Sequence, residues 1–264
     1  MEYEQPMGSP STNVPPPSTV PASPVQEPKN NLIAPLWNTA LIVALLLGNS
    51  FLGSAKMGGV HGSVSRILLY SGTFITELLL FLLVWWGIHL RGVRMRDLIG
   101  GKWETVESFL LDVAIAAGFW FIALMLLFVV RVAVGSIDLH NMKKSTDDAV
   151  RMLGPLAPHS YLEAAFFVCL SVAAGIFEEI IFRGYLQRQF IALSRSAVAG
   201  LIASGIIFGL AHGYQGWRMM IAIGFFGVLF GLLAYFRGSL RPGIMAHAFQ
   251  DSLAGIALFY IVRR

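Results

Sequence analysis

The stretch AAFFVCLSVAAGIFEEIIFRGYLQR, Ala164 to Arg188, places two adjacent carboxylates and an arginine directly after an uncharged apolar run. The apolar run is typical of a helix inside a lipid bilayer. A charged side chain at that depth is costly, so it faces the protein interior and serves a function. We therefore expect Glu178, Glu179 and Arg183 to belong to a site within a membrane domain.

The composition of the whole chain indicates a membrane protein. Of its 264 residues, 56% are hydrophobic and 13% are charged, whereas a soluble domain carries about 25% charged residues. Apolar surface in this excess requires lipid as its solvent. The net charge of +4 therefore reports on loop topology and lipid headgroups, and we expect no nucleic acid as a partner.

Seven apolar runs are long enough to cross roughly 30 Å of hydrocarbon. These runs are Leu36–Gly53, Ile67–Leu90, Val113–Val130, Tyr161–Arg188, Ala197–His212, Met219–Phe236 and Pro242–Val262. Spans of this length must be helices, because lipid cannot satisfy a polar backbone. We predict an all-α, polytopic membrane helical bundle of about 7–8 transmembrane helices over residues 31–264. The glycines of GFFGVLFG are expected to serve close helix packing.

The first thirty residues form a separate segment. They are rich in Pro, Ser and Thr and poor in large apolar residues, which predicts a disordered tail. The segment lacks the basic and apolar regions of a cleaved signal peptide. The loop from Arg91 to Lys102 holds the densest basic cluster, so the positive-inside rule makes this loop and the tail cytoplasmic. We expect an integral, multi-pass protein of the cell membrane.

Further ionisable residues lie in the later spans. His212 ends the segment FGLAH, and His247 and Asp251 lie in HAFQD. His247 and Asp251 are four residues apart and share one helix face, as do Glu179 and Arg183. We predict that the polar side chains of three helices converge on one water-filled cavity, which opens to the face of the Arg91–Lys102 loop.

Glu178 is rotated by about 100° from Glu179 on an α-helix, so it points away from the Glu179–Arg183 pair and into that cavity. Two other carboxylates have different expectations. Glu77, in the middle of a span, either lines the cavity or pairs with a buried donor, and we favour the pairing. Asp112, near a span end, is expected to be solvated at the membrane interface.

Three motifs in the second half of the chain resemble those of a known family. EEIIFR matches an EExxxR motif, FGLAH an FxxxH motif and HAFQD an HxxxN/D motif, in that order. From about Tyr161 to Arg264 the chain is therefore similar to the CAAX prenyl endopeptidases, also called type II CAAX proteases or the CPBP/Abi family of intramembrane proteases. The first three spans match that family only in being membrane helices.

The resemblance implies a peptidase with a conical cavity open to the cytosol and a catalytic half at residues 161–264. The implied roles are water activation by Glu178 and His212, oxyanion binding by His247 and Asp251, and bracing of the site by Glu179 and Arg183. Asp251 departs from the eukaryotic pattern, which has Asn at this position. An Asn amide donates hydrogen bonds, whereas an ionised Asp only accepts them, so Asp251 must be protonated, orient His247 or help to bind a cation.

Cofactor use stays open at this stage. Members of the resembled family are classed as metalloproteases, and Glu178, His212 and His247 are the candidate ligands for Zn²⁺. The same Glu and His could also activate water unaided, and we lean towards a metal-free site.

The expected partner is a membrane-associated peptide or protein, which is prenylated in the eukaryotic family. Two alternatives are a catalytically silent membrane scaffold or immunity protein and a proton-coupled transporter. The presence of Glu178, His212 and His247 disfavours the silent protein. The lack of an inverted repeat disfavours the transporter.

Overall fold

The protein is an all-α bundle, seen in a computed structural model that describes residues 32–57 and 66–263. Its elements in chain order are α1 Leu36–Met57, α2 Arg66–His89, α3 Met95–Ile99, α4 Val106–Ala133, α5 Met142–Leu153, α6 Tyr161–Glu178, a π-helix Glu179–Gln187, α7 Arg188–Ser194, α8 Ala197–Ala211, α9 Trp217–Arg237 and α10 Arg241–Val262. Short 3₁₀ turns follow α5 and α8. The predicted N-terminal tail lies outside the described residues.

Six helical segments of the described chain are long and apolar enough to cross a membrane. They are α1, α2, α4, the continuous segment Tyr161–Ser194, α9 and α10. This arrangement confirms the predicted polytopic bundle and indicates an integral multi-pass membrane protein. The predicted span Ala197–His212 is realised as α8, which has 15 residues. At 1.5 Å per residue it is about 22 Å long, shorter than the hydrocarbon layer.

Glycines hold α8 and α9 close together. A Cβ added to Gly227 would lie 2.9 Å from the ring of Phe208, and one added to Gly224 would lie 3.3 Å from the carbonyl oxygen of Gly205. A Cβ on Gly231 would lie 2.6 Å from the side-chain oxygen of Gln187. Small residues that let two helix backbones approach are typical of membrane bundles. The packing role predicted for the glycines of GFFGVLFG is therefore confirmed.

The ends of the helices define two faces of the bundle. At the face that we call the Arg91 face, Leu240 N donates to Ile99 O at 2.9 Å and Arg188 Nη2 donates to Leu98 O at 2.9 Å. The opposite face, which we call the His212 face, carries the 212–216 turn and the 134–160 segment. At this face the 134–160 segment contacts the start of α9: a Cβ added to Gly135 would lie 3.8 Å from the guanidinium of Arg218.

A cluster around Asp112 joins α4 to the turn between α9 and α10 at the Arg91 face. Asp112 is fully buried and accepts hydrogen bonds from Arg237 Nη2 at 2.8 Å and from Trp103 Nε1 at 2.9 Å. Arg241 Nε lies 3.0 Å from Asp112 Oδ2, the oxygen that also accepts from Trp103. The expectation that Asp112 is solvated at the interface is wrong, because two cations and an indole replace the water.

The Asp112 cluster generates a prediction about stability. We expect Asp112→Ala to destabilise the fold by about 3–5 kcal/mol, because it leaves two partly buried guanidinium groups without a counter-ion. Thermal unfolding of the purified protein in detergent measures this loss. Asp148→Ala is the matched control, since Asp148 pairs with Arg151 on an exposed helix surface, where ion pairs contribute little. Equal unfolding midpoints for the two variants would contradict the prediction.

Candidate active site

The acidic part of the candidate site lies where α6 passes into the π-helix. Glu178 is the last residue of α6 and Glu179 the first of the π-helix, all nine residues of which are buried. A π-helix has i→i+5 hydrogen bonds and occurs frequently at functional sites. The adjacent carboxylates therefore belong to the helix segment that is most enclosed by its neighbours.

Glu179 and Arg183 form a buried ion pair. Arg183 Nη1 lies 3.0 Å from Glu179 Oε1, and Arg183 Nη2 donates to Gly227 O at 3.2 Å. The guanidinium carbon also lies 4.2 Å from the ring centroid of Phe208 and 5.3 Å from that of Phe230. A guanidinium is attracted to aromatic faces, so the protein surrounds this cation on all sides.

Three carboxylates surround the imidazole of His247 on α10. His247 Nδ1 lies 3.1 Å from Glu179 Oε1, which fixes the ring orientation. On the other side of the ring, Nε2 lies 3.6 Å from Glu178 Oε2 and 3.5 Å from Asp251 Oδ2. The structure thus brings Glu178, Glu179, His247 and Asp251 together from two neighbouring helices.

His212 lies at the end of α8, on a third helix. Its Nδ1 lies 2.8 Å from Phe208 O. A carbonyl oxygen only accepts, so Nδ1 carries the hydrogen and Nε2 carries the lone pair in the neutral ring. His212 makes neither a hydrogen bond nor an ion pair with Glu178, although it interacts electrostatically with Asp251. A water molecule shared by Glu178 and His212 would have to bridge them.

The exposed fraction of the site side chains increases from the buried Glu179–Arg183 pair to Asp251 on α10. The exposed side-chain fraction rises from 0% for Glu179 and 1% for Arg183, through 7% for His247 and 17% for Glu178, to 41% for Asp251. Asp251 lies one helical turn closer to the His212 face than His247 does. Within this site the more exposed side chains therefore lie towards the His212 face, not towards the Arg91 face as expected from the sequence.

This direction sets two predictions about orientation against each other. The positive-inside rule makes the Arg91 face cytoplasmic, whereas the resemblance implies a cavity open to the cytosol. The two faces lie at opposite ends of the bundle, so only one of these predictions can hold.

Glu77 on α2 is a further acidic neighbour of the candidate site. It interacts electrostatically with Glu178, His247 and Asp251. Its Oε2 is buried and has no hydrogen-bond partner among the described residues. The favoured expectation of a structural pair with a buried donor is therefore wrong for the described residues, and the charge of Glu77 acts on the site residues instead. Its position in the middle of a span was the sequence signal for that alternative.

Tyr214 also faces the site, and the motifs gave no signal for it. Its ring lies 6.1 Å from that of His212, measured between centroids, with an angle of 31° between the planes. Burial, together with the charges of Glu178, Asp251 and Glu77, raises the pKa of Tyr214 to about 12. The phenol therefore stays protonated at neutral pH.

The described residues do not fit a metal centre. No group of three or more His, Cys, Asp and Glu side chains within them is arranged to hold a metal ion. Of the three candidate ligands, Glu178 and His247 lie close together, but His212 does not join them. A zinc site requires its ligands at about 2.0–2.2 Å from one point, so we derive no step through a metal.

Comparison with known families supports the resemblance over part of the chain. Residues 160–253 match the family described as type II CAAX prenyl endopeptidase Rce1-like, which confirms the resemblance for that segment. The protein is thus a multi-pass membrane protein with an Rce1-like segment, which spans well under half of the chain. The comparison with curated proteins and the comparison with solved structures gave no match.

The buried ion pair generates a prediction about Arg183. Arg183→Ala should lower the free energy of unfolding by about 3–5 kcal/mol, because it leaves the buried carboxylate of Glu179 with only the imidazole of His247 as a partner. Folded yield and thermal stability in detergent measure the effect, and activity should fall with them. Arg151→Ala, on an exposed surface, is the control. An Arg183→Ala protein as stable as the wild type but inactive would indicate instead that Arg183 contacts the substrate.

Proposed function

We propose that the protein is an intramembrane endopeptidase that hydrolyses a peptide bond with a water molecule activated by Glu178 and His212. The observation that carries the proposal is the cluster of Glu178, Asp251 and His247, with His247 held by Glu179, on helices long and apolar enough to cross a membrane. The match of residues 160–253 to the Rce1-like family supports the same reaction.

Glu178 is the proposed general base. Its Oε2 is buried and has no hydrogen-bond partner among the described residues, so this oxygen is available to accept a proton from water. The Nε2 lone pair of His212 is the second acceptor, since Nδ1 is engaged by Phe208 O. A base acts on a water within hydrogen-bond reach, and the two groups would orient one water from opposite sides.

In the proposed reaction, the proton that Glu178 takes from water is returned to the product amine. The water oxygen attacks the carbonyl carbon of the peptide bond while Glu178 takes the proton. The negative oxygen of the tetrahedral intermediate requires hydrogen-bond donors, and the Nε2 hydrogen of a protonated His247 is one. Glu178 returns its proton to the amine nitrogen as the carbon–nitrogen bond breaks, which yields an acid and an amine.

Glu179 and Asp251 act on His247 in this proposal. Glu179 Oε1 accepts a hydrogen bond from His247 Nδ1, 3.1 Å away, and so sets the direction of Nε2. Asp251 lies 3.5 Å from Nε2, and its negative charge stabilises the protonated ring. The carboxylate of Asp251 therefore supports His247 and is not itself a donor to the intermediate.

The proposed substrate is a membrane-associated peptide or protein, since the cluster lies on candidate membrane-spanning helices. A prenylated C-terminal segment is the specific substrate that the resemblance implies. The plasma membrane is the proposed location. The carboxylates around His247 favour an enzyme over a silent scaffold. A scaffold has no need for buried carboxylate oxygens without hydrogen-bond partners, such as those of Glu77 and Glu178.

The proposed shared water predicts strong non-additivity. Glu178→Ala and His212→Ala should each abolish cleavage, and the double variant should be no worse than either single variant, because groups that act on one water fail as a unit. The measurement is cleavage of an S-farnesylated peptide ending in Cys-aliphatic-aliphatic-Met by the purified protein. Additive losses would show that the two residues serve different steps.

The proposed role of Asp251 predicts tolerance of Asp251→Asn. The amide loses the charge that stabilises the protonated His247 but keeps the size of the side chain and gains a donor for the oxyanion, as in the eukaryotic motif. Cleavage should therefore stay within about tenfold of wild type, or 1.4 kcal/mol. Chelator treatment should leave both proteins active. A steep loss in Asp251→Asn that added Zn²⁺ restores, together with a chelator-sensitive wild type, would contradict this role and favour a metal site.

A further inference from the structure

The proposed hydrolysis leaves the oxyanion short of donors. An ionised Asp251 only accepts hydrogen bonds, so it cannot supply the donor that Asn provides in the eukaryotic motif. Arg183 cannot substitute for it, because this guanidinium is engaged by Glu179, Gly227 O and two aromatic rings and is almost fully buried. A second donor beside His247 must come from elsewhere in the cavity.

The 3₁₀ turn Gly213–Gln215 is fixed to α1 at the cavity entrance. Ser50 Oγ donates to Leu210 O at 2.8 Å and accepts from Gly213 N at 3.1 Å. These bonds tie the end of α8 and the following turn to one side chain of a different helix. Tyr214 is therefore held on a fixed backbone, which is what a preorganised catalytic group requires.

The hydroxyl of Tyr214 is oriented by its neighbour. Gln215 Nε2 donates to the hydroxyl oxygen at 3.0 Å. A hydroxyl that accepts from one side still has its own hydrogen to donate, and this hydrogen has no acceptor among the described residues. The ring of Tyr214 lies 6.1 Å from that of His212, measured between centroids, and the charges of Glu178, Asp251 and Glu77 act on the phenol, so Tyr214 lies beside the candidate site.

We propose that Tyr214 is a further catalytic residue, whose hydroxyl donates a hydrogen bond to the oxyanion of the tetrahedral intermediate opposite His247. The proposal rests on the proposed hydrolysis and extends it. The phenol replaces the donor that is lost where Asp251 stands in place of Asn. No proton is transferred in this step, since the phenol remains an O–H donor throughout the reaction.

A purely structural role for Tyr214 makes a different prediction. The side chain also packs on α1, where a Cβ on Gly53 would lie 3.5 Å from Tyr214 Cβ. Tyr214→Phe keeps the ring and this packing and removes only the hydroxyl. If packing were the whole role, Tyr214→Phe would cleave substrate at the wild-type rate.

The test is steady-state cleavage of the same S-farnesylated peptide by the full chain in liposomes. We expect Tyr214→Phe to lower kcat at least tenfold, towards the roughly 100-fold loss typical of a removed oxyanion donor. KM should stay within about threefold of wild type, because the bond forms only in the transition state. Tyr235→Phe, on the exposed end of α9, is the control and should leave kcat unchanged.

The outcomes separate this proposal from the proposed function. A kcat loss below tenfold in Tyr214→Phe, or a loss confined to KM, overturns the role of Tyr214 while wild-type cleavage and an inactive Glu178→Ala keep the function. An uncleaved peptide, or equal cleavage by wild type and Glu178→Ala, overturns the function and the role of Tyr214 with it. Unchanged thermal stability of Tyr214→Phe shows that a kcat loss is not due to unfolding.

Discussion

The carboxylate of Glu179 is the interaction on which the rest of the site depends. Inside a membrane domain an unpaired charge is expensive, and Glu179 is fully buried. Arg183 neutralises it from one turn further along the same helix, and His247 contacts it from α10. One buried oxygen thus joins the π-helix to α10 and orients the imidazole. Removing either partner would disturb both the packing of the helices and the direction of His247.

Two buried acidic clusters among the described residues differ in how many of their carboxylate oxygens have hydrogen-bond or ion-pair partners. Asp112 has two arginines and an indole around it, which is the pattern of a structural ion cluster. Glu77 and Glu178 each have a buried oxygen without a hydrogen-bond partner in the described chain. Buried polar groups left in that state cost free energy, and natural proteins tolerate such a cost mainly at functional sites. The contrast between these carboxylates supports a functional role for the candidate site and a stabilising role for the Asp112 cluster.

Local spacing and apolar length predicted much of the fold and part of the site. The spans, the glycine packing and the Glu179–Arg183 pair all follow from periodicity within a single helix. The partners of Asp112 and the neighbours of Glu77 could not be predicted, because both depend on which helices pack together. The greater exposure of the site towards the His212 face was missed for the same reason. The depth of a residue along one helix does not show which end of that helix is covered by neighbouring helices.

The family match covers residues 160–253, yet the chemistry of the cavity extends beyond that segment. Glu77 on α2 adds a carboxylate beside Glu178 and Asp251, and Ser50 on α1 fixes the turn that carries Tyr214. Neither helix resembles the family in anything but its apolar character. The presence of Asp at position 251, where the eukaryotic motif has Asn, would require a hydrogen-bond donor from outside the matched segment in the proposed mechanism. When a carboxylate replaces an amide donor, the donor must come from another element, and the turn held by α1 is positioned to supply it.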